Sequence, residues 1–358
     1  MPAKDFPLTI IAGNKARARI ENEGFKSSLF GAMVGASGGA KMLGLTHLDR
    51  YLFSDFLQQA QQPMELYGSS IGSWRHAALV ADDPLAALTQ LQERYLHQMW
   101  QDDDPRPRAE VVDDLCHWVI DGFCTKELLQ SLCQHPRFTT HIVTARGRGV
   151  NSTQNKFLLG IGMGSVALAN IFSRTAVAVG FQRVVFSSGE AEAFAFSDFT
   201  TTHVSMTPGI VKQALLASGS IPFLMSGQRD IEGAPTGHYW DGGIIDYHFD
   251  FANQTGDSLI LYPHFSDRVV QGWFDKKLPW RINSPEALAR TVVIAPSDSY
   301  LARLPSRKFP DRNDFTRLPH QQRIRDWRKA MDMSIELADA LKKVSESPDP
   351  LSYLSANH

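Results

Sequence analysis

Two serines in this chain stand in the spacing that acyl-transfer chemistry uses. Residues 35–39 read GASGG and residues 68–72 read GSSIG, each a GxSxG pattern. A serine nucleophile has to stand on a sharp turn from strand to helix. Glycines on either side remove the Cβ atoms that would clash there, and the helix start that follows presents backbone N–H groups to a developing oxyanion. Spacing alone does not choose between Ser37 and Ser70. Context favours Ser70, because the short run MELY at 64–67 precedes it and a helix starting at about residue 73 follows. The 35–39 segment is then expected to be the partner loop. An acyl-transfer site needs an electrophilic pocket as well as a nucleophile, and a glycine-rich helix start offers unpaired N–H groups for it.

Other residue types that carry chemistry are less favourably placed. Of the twelve histidines, His238, His248 and His264 follow Ser70, and a Ser-His-Asp order ending on histidine would use His264. That order belongs to folds whose nucleophile turn follows several strands, whereas Ser70 follows only two or three. A triad esterase of small soluble esters therefore stands as the alternative, and these histidines read as surface or hydrogen-bonded groups. His47 and His76 fall on helices beside the two glycine loops, where they are expected to line the pocket without transferring protons. Cys116, Cys124 and Cys133 form no CxxC pair and have no histidines at zinc spacing, which points to thiols in a reducing compartment and to no metal. The segment AGNKARAR at 12–19 has one glycine and no Walker ending, so Arg17 and Arg19 read as a solvated basic helix face. Gly160, Gly162 and Gly164 lack the βαβ setting and downstream acid of a dinucleotide site, and no cofactor is expected.

The elements that must hold these residues alternate. Residues 8–12 and 29–34 read as short strands, the second running into the glycine cluster, and residues 14–23 have helical character. Apolar residues at helical spacing over 43–59 (Leu45, Leu48, Leu52, Phe53 and Phe56) put a helix after the glycine loop. Residues 64–67 then read as a strand and 74–81 as a helix. Strand, loop, helix, strand, turn, helix implies a mostly parallel sheet covered by helices. Further along, 84–100, 111–134 and 208–217 read as helices and 141–145, 184–187 and 258–262 as strands. Residues 193–196 are expected to pair with 184–187 across the Ser188–Gly189 turn. Residues 321–344 read as one long helix, and 265–319, loaded with Pro, Asp and Arg, as the least structured part. The apolar run FLLGIGMGSVALANIF at 157–172 falls short of the ~20 residues of a membrane span and reads as a buried helix or strand–turn–helix, with its contact to a membrane left open.

A chain of 358 residues, 43% of them hydrophobic, has room for one large α/β domain with a smaller appendage. Thirty-six Lys plus Arg against thirty-eight Asp plus Glu leave a net charge of -2, so no long-range positive field gathers nucleic acid. No apolar run of signal-peptide length precedes Asn14, and a cytoplasmic location is expected, with peripheral membrane contact left open. Nothing in the sequence sets the oligomeric state.

A glycine-rich loop, a helix, GxSxG about thirty residues later and a distant DGG resemble the patatin-like phospholipases. The oxyanion loop of that family has the form GGGx(R/K)G. Residues 37–42 (SGGAKM) match it at Gly38, Gly39 and Lys41 and depart from it at Ser37 and Met42. The family's nucleophile turn matches Gly68, Ser70 and Gly72, and its Asp-Gly-Gly/Ala motif matches Asp241, Gly242 and Gly243. Residues 214–223 (ALLASGSIPF) resemble the family stretch in which a helix runs into an Ala-Ser-x-x-Ile-Pro turn. The resemblance implies a three-layer α/β/α fold with a mostly parallel central sheet. It implies a hydrolase domain over 1–265 and a loop-rich and helical extension packed on it over 266–358. It also implies a cofactor-free lipid acyl hydrolase, phospholipase- or lysophospholipase-like, acting on a lipid or other acyl ester through a Ser–Asp dyad. Ser70 would attack, Asp241 would take its proton, and Gly38, Gly39 and Ala40 would bind the oxyanion, with Lys41, Gly68, Gly72, Gly242 and Gly243 supporting the motifs. A dyad is chemically sound if burial raises the basicity of a carboxylate within hydrogen-bond reach, and Tyr239 and Trp240 beside Asp241 are placed to desolvate it. The remaining alternatives are the triad esterase and a catalytically silent lipid-binding protein of the same fold.

Overall fold

The computed structural model describes residues 5–100 and 104–355. Within them ten strands form one sheet: β1 (Leu8–Ala12), β2 (Phe30–Gly35), β3 (Met64–Ser69), β4 (Phe138–Gly147), β5 (Phe181–Ser187), β6 (Thr201–Ser205), β7 (Gln228–Arg229), β8 (His238–Asp241), β9 (Leu259–Pro263) and β10 (Thr291–Pro296). Their order is β1-β10-β9-β2-β3-β4-β5-β6, with β8 on β4 and β7 on β8. From β10 to β4 all neighbours run parallel, β1 pairs antiparallel with β10, and β5 and β8 pair antiparallel with β4. A parallel sheet is covered on both faces, so its strands carry apolar residues without alternation. β9 (LILYP) and β10 (TVVIAP) accordingly are buried at every position. Flanking helices complete the three-layer α/β/α fold.

Two pairings fix where the glycine turns and the chain ends lie. β2 and β3 run parallel with Gly35 opposite Gly68, so both glycine turns leave the same end of the sheet on adjacent strands. β1 pairs antiparallel with β10, Leu8 opposite Pro296. On the other side of β1, Ile10 bridges Leu354, and the Ser355 N–H donates to the Ile10 carbonyl at 2.8 Å.

The structure departs from the sequence expectations in five places. Residues 193–196 do not pair with β5, whose outer neighbour is β6 in parallel, and Phe194 instead bridges Gln254. The helix expected over 111–134 is two, Arg108–Phe123 and Lys126–Gln134, because Thr125 caps the second by accepting from the Leu128 N–H. The helix expected over 321–344 breaks at Ser334, whose hydroxyl donates to the Met331 carbonyl and accepts the N–H of His47. The stretch 265–319 supplies β10 to the sheet.

The fifth departure is the run at 157–172, which is a helix, Lys156–Phe172, but not a buried one. Asn155 caps it, Leu159, Met163 and Val166 face the core, and Phe157, Leu168 and Phe172 face outward. Among the described residues no helix is long and apolar enough to cross a membrane.

Candidate active site

β3 ends at Ser69, and Ser70 takes φ 55° and ψ -130° before the helix Ile71–Leu79 begins. A non-glycine residue in such a region costs on the order of 1–3 kcal/mol and persists only where its surroundings fix it. Here they do. A Cβ on Gly68 would lie 2.5 Å from Ser73 Cα, and one on Gly72 would lie 2.0 Å from the Gly35 carbonyl oxygen. Glycine is therefore required on both sides of the turn, which packs backbone to backbone against the end of β2. The Ser70 N–H donates to Ser218 Oγ at 2.8 Å, and the Ser218 hydroxyl donates to the Val143 carbonyl at 2.7 Å.

The Ser70 hydroxyl donates to Asp241 Oδ2 at 2.6 Å. Asp241 closes β8, which is paired with β4. Its N–H donates to the Ser220 carbonyl at 2.8 Å, and its Oδ1 accepts the Gly243 N–H at 2.7 Å. A Cβ on Gly242 would strike the Val143 carbonyl oxygen at 2.2 Å, and one on Gly243 would lie 2.4 Å from Ser37 Oγ. Both glycines let the acid approach the Ser70 turn. Burial lifts the Asp241 carboxyl to about 6, against the opposing pull of the bonds from Ser70 and Gly243. At neutral pH it is thus an ionised carboxylate of raised basicity held against a hydroxyl.

The other glycine turn lies alongside. Ser37 Oγ shares a hydrogen bond of 2.9 Å with Ser69 Oγ, its N–H donates to the Tyr247 carbonyl, and no carboxylate of the described residues is bonded to it. Gly39 has φ 55° and opens a tight turn, Gly39–Leu45. The N–H groups of Gly38, Gly39 and Ala40 have no protein acceptor among the described residues. Gly38 and Gly39 line the same cavity as Ser70, and Ala40 is buried and does not line it. Lys41 also lines the cavity, with its Nζ over the Phe265 ring at 4.2 Å.

The cavity has a volume of about 650 Å³, within the usual range for small-ligand pockets. Ile71, Trp74, Val112, Ile221 and Leu224 give it apolar walls, and its charges are Lys41, Arg108, Lys276 and Arg312 against Asp241 and Asp311. Four cations against two carboxylates leave the lining at +2. Burial and the neighbouring Lys41 and Arg312 pull the Lys276 ammonium down to about 8. Among the described residues no cluster of His, Cys, Asp or Glu is arranged to hold a metal.

None of the described histidines is hydrogen-bonded to Ser70 or Asp241. His238 stacks on Trp240 and bonds the Ser226 carbonyl at 2.7 Å, and His264 bonds the Ser266 carbonyl. Burial pushes His76 and His264 down to about 3, so both are neutral. Contrary to expectation, neither His47 nor His76 lines the cavity.

Two positioning contacts are not visible in the sequence. Ser218 lies in the 214–223 stretch, where the resemblance marks the segment without showing that its hydroxyl holds the Ser70 N–H. Arg75, on the helix after Ser70, makes a buried two-pronged ion pair with Asp49, on the helix Thr46–Ser54 after the glycine turn, with Nε to Oδ2 at 2.8 Å. It ties the two helix starts together, and no spacing rule links an Asp to an Arg 26 positions away.

A family model described as patatin-like phospholipase matches residues 30–248, more than half of the chain, from β2 past Asp241. No curated protein and no solved structure matches.

Proposed function

We propose that this chain, which belongs to the patatin-like phospholipase family, cleaves fatty-acyl esters of lipids through an acyl-enzyme on Ser70, with Asp241 as base. Family membership carries lipid acyl hydrolysis in general. The finer reading is carried by the hydrogen bond of 2.6 Å between Ser70 and Asp241, made at the wall of a cavity with room for an acyl chain. Asp241 takes the hydroxyl proton as Ser70 Oγ bonds to the ester carbonyl carbon. The bond from that carbon to the alcohol oxygen then breaks, and Asp241 returns the proton to the leaving alcohol. A water repeats the sequence on the acyl-enzyme: its proton goes to Asp241, its oxygen to the carbonyl carbon, and Ser70 departs reprotonated with the fatty acid released.

The N–H groups of Gly38 and Gly39, with that of Ala40 next in the turn, are assigned to the carbonyl oxygen as it becomes negative. The positive lining supports a phosphate-bearing substrate, a phospholipid or lysophospholipid, over a neutral glyceride. Residues 266–358 supply β10 to the sheet between β1 and β9 and so belong to the same fold as residues 1–265, and through Lys276 and Arg312 they add two of the cations that face the substrate. Three free thiols, two of them buried, favour a reducing, cytoplasmic compartment. Labelling with a fluorophosphonate followed by peptide mapping tests the assignment, since only an activated serine reacts. An adduct on Ser70 is expected. An adduct on Ser37 would move the nucleophile, and no adduct would leave a silent lipid-binding protein.

A further inference from the structure

The helix Lys156–Phe172 turns an apolar stripe outward. Phe157, Ile161, Leu168 and Phe172 lie four, seven and four positions apart, on one face, and are 76%, 50%, 65% and 88% exposed. Helices of water-soluble domains place charge at such positions. This one has no charged side chain between Lys156 and Arg174. Single exposed apolar residues need no explanation, but a contiguous stripe of large ones marks an interaction surface.

Both ends of the helix are tied to the rim of the Ser70 cavity. Ahead of it, Gln154 Nε2 donates to the Ser226 carbonyl at 3.0 Å, at the end of the rim segment 221–226. Near its far end, Asn170 Nδ2 donates to Asp275 Oδ1 at 2.7 Å and the Asn170 carbonyl accepts from Arg281 at 3.1 Å, which anchors the segment that carries the cavity-lining Trp273 and Lys276. These rim segments expose large apolar groups of their own. Phe223 and Trp273 both line the cavity and remain more than a third exposed, which marks its mouth, and Trp280 beyond them is 61% exposed. The outward stripe and the way in to Ser70 therefore share one face of the molecule.

The charge around this face is mainly positive. No Asp or Glu occurs from residue 128 to 189. Lys156 opens the helix, and the cavity mouth beside Trp273 carries Lys276 and Arg312 against Asp311. An isologous contact with a second copy would press this positive border against itself. An anionic lipid surface matches it, and tryptophans beside an apolar stripe suit the boundary between acyl chains and head groups.

We infer that this face docks on a lipid surface, the helix Lys156–Phe172 lying in the interfacial plane with its stripe among the acyl chains and the cavity mouth turned toward the bilayer. The inference rests on the lipid-ester reading of the cavity for its purpose, and its test is independent of turnover. Full-length protein is sedimented with vesicles of phosphatidylcholine, alone or mixed with phosphatidylglycerol, as wild type, Ser70→Ala and Phe157→Glu/Phe172→Glu. Burying one phenylalanine is worth about tenfold or more in partitioning. The double substitution, at two side chains exposed on the free protein, should therefore lower vesicle binding at least that much and leave turnover of a dissolved short-chain ester unchanged. Ser70→Ala should bind as the wild type does, and Lys156→Glu should reduce the preference for phosphatidylglycerol. Equal vesicle binding by wild type and double variant overturns the inference, even if the dissolved ester is still cleaved and the hydrolase reading stands. Binding lost in the double variant, with no ester cleaved by any form, upholds the docking face and overturns the hydrolase reading. A dimer in ultracentrifugation that the double variant converts to monomer assigns the face to a second copy and overturns the inference as well.

Discussion

The turn at Ser70 and the helix Lys156–Phe172 are both rich in glycine, and they use it in opposite ways. Around Ser70 a Cβ on Gly35, Gly68 or Gly72 would come within 3 Å of backbone atoms, so those glycines exist because other chain segments occupy the space. On the outward side of the helix, a Cβ at Gly160 or Gly164 would meet nothing within 4 Å, while Gly162 on its inner side is pressed against Asn151. The first region is specified by internal contact, through backbone packing and the bonds that hold Ser70 and Asp241. The second is specified toward something outside the protein. The Ser70 turn is held in place by its own neighbouring atoms, and the outward side of the helix leaves space open where the interface is proposed.

Removing the charge at the heart of the rigid region should have the largest effect. Asp241→Asn removes the base proposed for Ser70, and general-base assistance is worth about 10²–10⁴-fold in turnover. His264→Ala, measured on the same dissolved ester, should lose far less. If the two proved equally damaging, the dyad would give way to a triad.

Next in size is the glycine turn. Gly39 has φ 55°, which a β-branched residue hardly adopts, and a Cβ there would lie 3.1 Å from Tyr95 Oη. Gly39→Val should cost about 10²–10³ in rate, the loss of one oxyanion donor. Lys41→Met changes a side chain beside the turn and should cost less. Full activity in Gly39→Val would remove the turn from the mechanism.

A pH profile sharpens the comparison further. The proposed base is competent only when ionised, so kcat/KM should fall on the acid side with a midpoint near 6. The same shift acts on stability. Asp241 holds its proton more tightly when folded, so its contribution is full below the ordinary carboxylate range, is lost as pH rises to about 6, and stays lost above. Asp241→Asn should therefore be more stable than wild type at pH 8, by on the order of 1–3 kcal/mol, and no more stable at pH 3. Equal melting shifts at both pH values would contradict the burial of an ionised carboxylate.

The smallest effect belongs to the outward helix. Gly160→Ala and Gly164→Ala have room for the methyl group, and an alanine in a helix interior is favoured over glycine by about 0.5–1 kcal/mol. Each should stabilise the fold by that amount, read as a raised unfolding midpoint. The same change at Gly72 should wreck the protein or its activity. A destabilised Gly164→Ala would mean that the helix is held by contacts like those around Ser70.

What the sequence discloses divides along the same line. The strand–turn–helix at Ser70, the glycine turn and Asp241-Gly242-Gly243 are readable because a steric demand leaves glycines at fixed offsets. Ser218 and the Asp49–Arg75 pair are not, since their meaning lies in distances between segments far apart in the chain. β10 has the apolar run TVVIAP at 291–296, masked by the Pro, Asp and Arg on either side of it. Residues 157–172 mislead for a different reason. A run with no polar face carries no periodicity to say which side is inside, and a reading of burial assumes water on the other side.

The pairing of β1 has a consequence in time. This strand is synthesised long before its neighbour in the sheet, β10, and its other side meets Leu354 and Ser355. While the ribosome makes the intervening chain, β1 has no partner, and β9 presents an open edge until residues 291–296 emerge. Contacts so distant in sequence form late, and an unpaired strand edge is a template for other chains. Until β10 emerges the nascent chain thus carries open strand edges that the finished sheet does not show, and a chain cut off before residue 291 would lack the strand that joins β1 to β9.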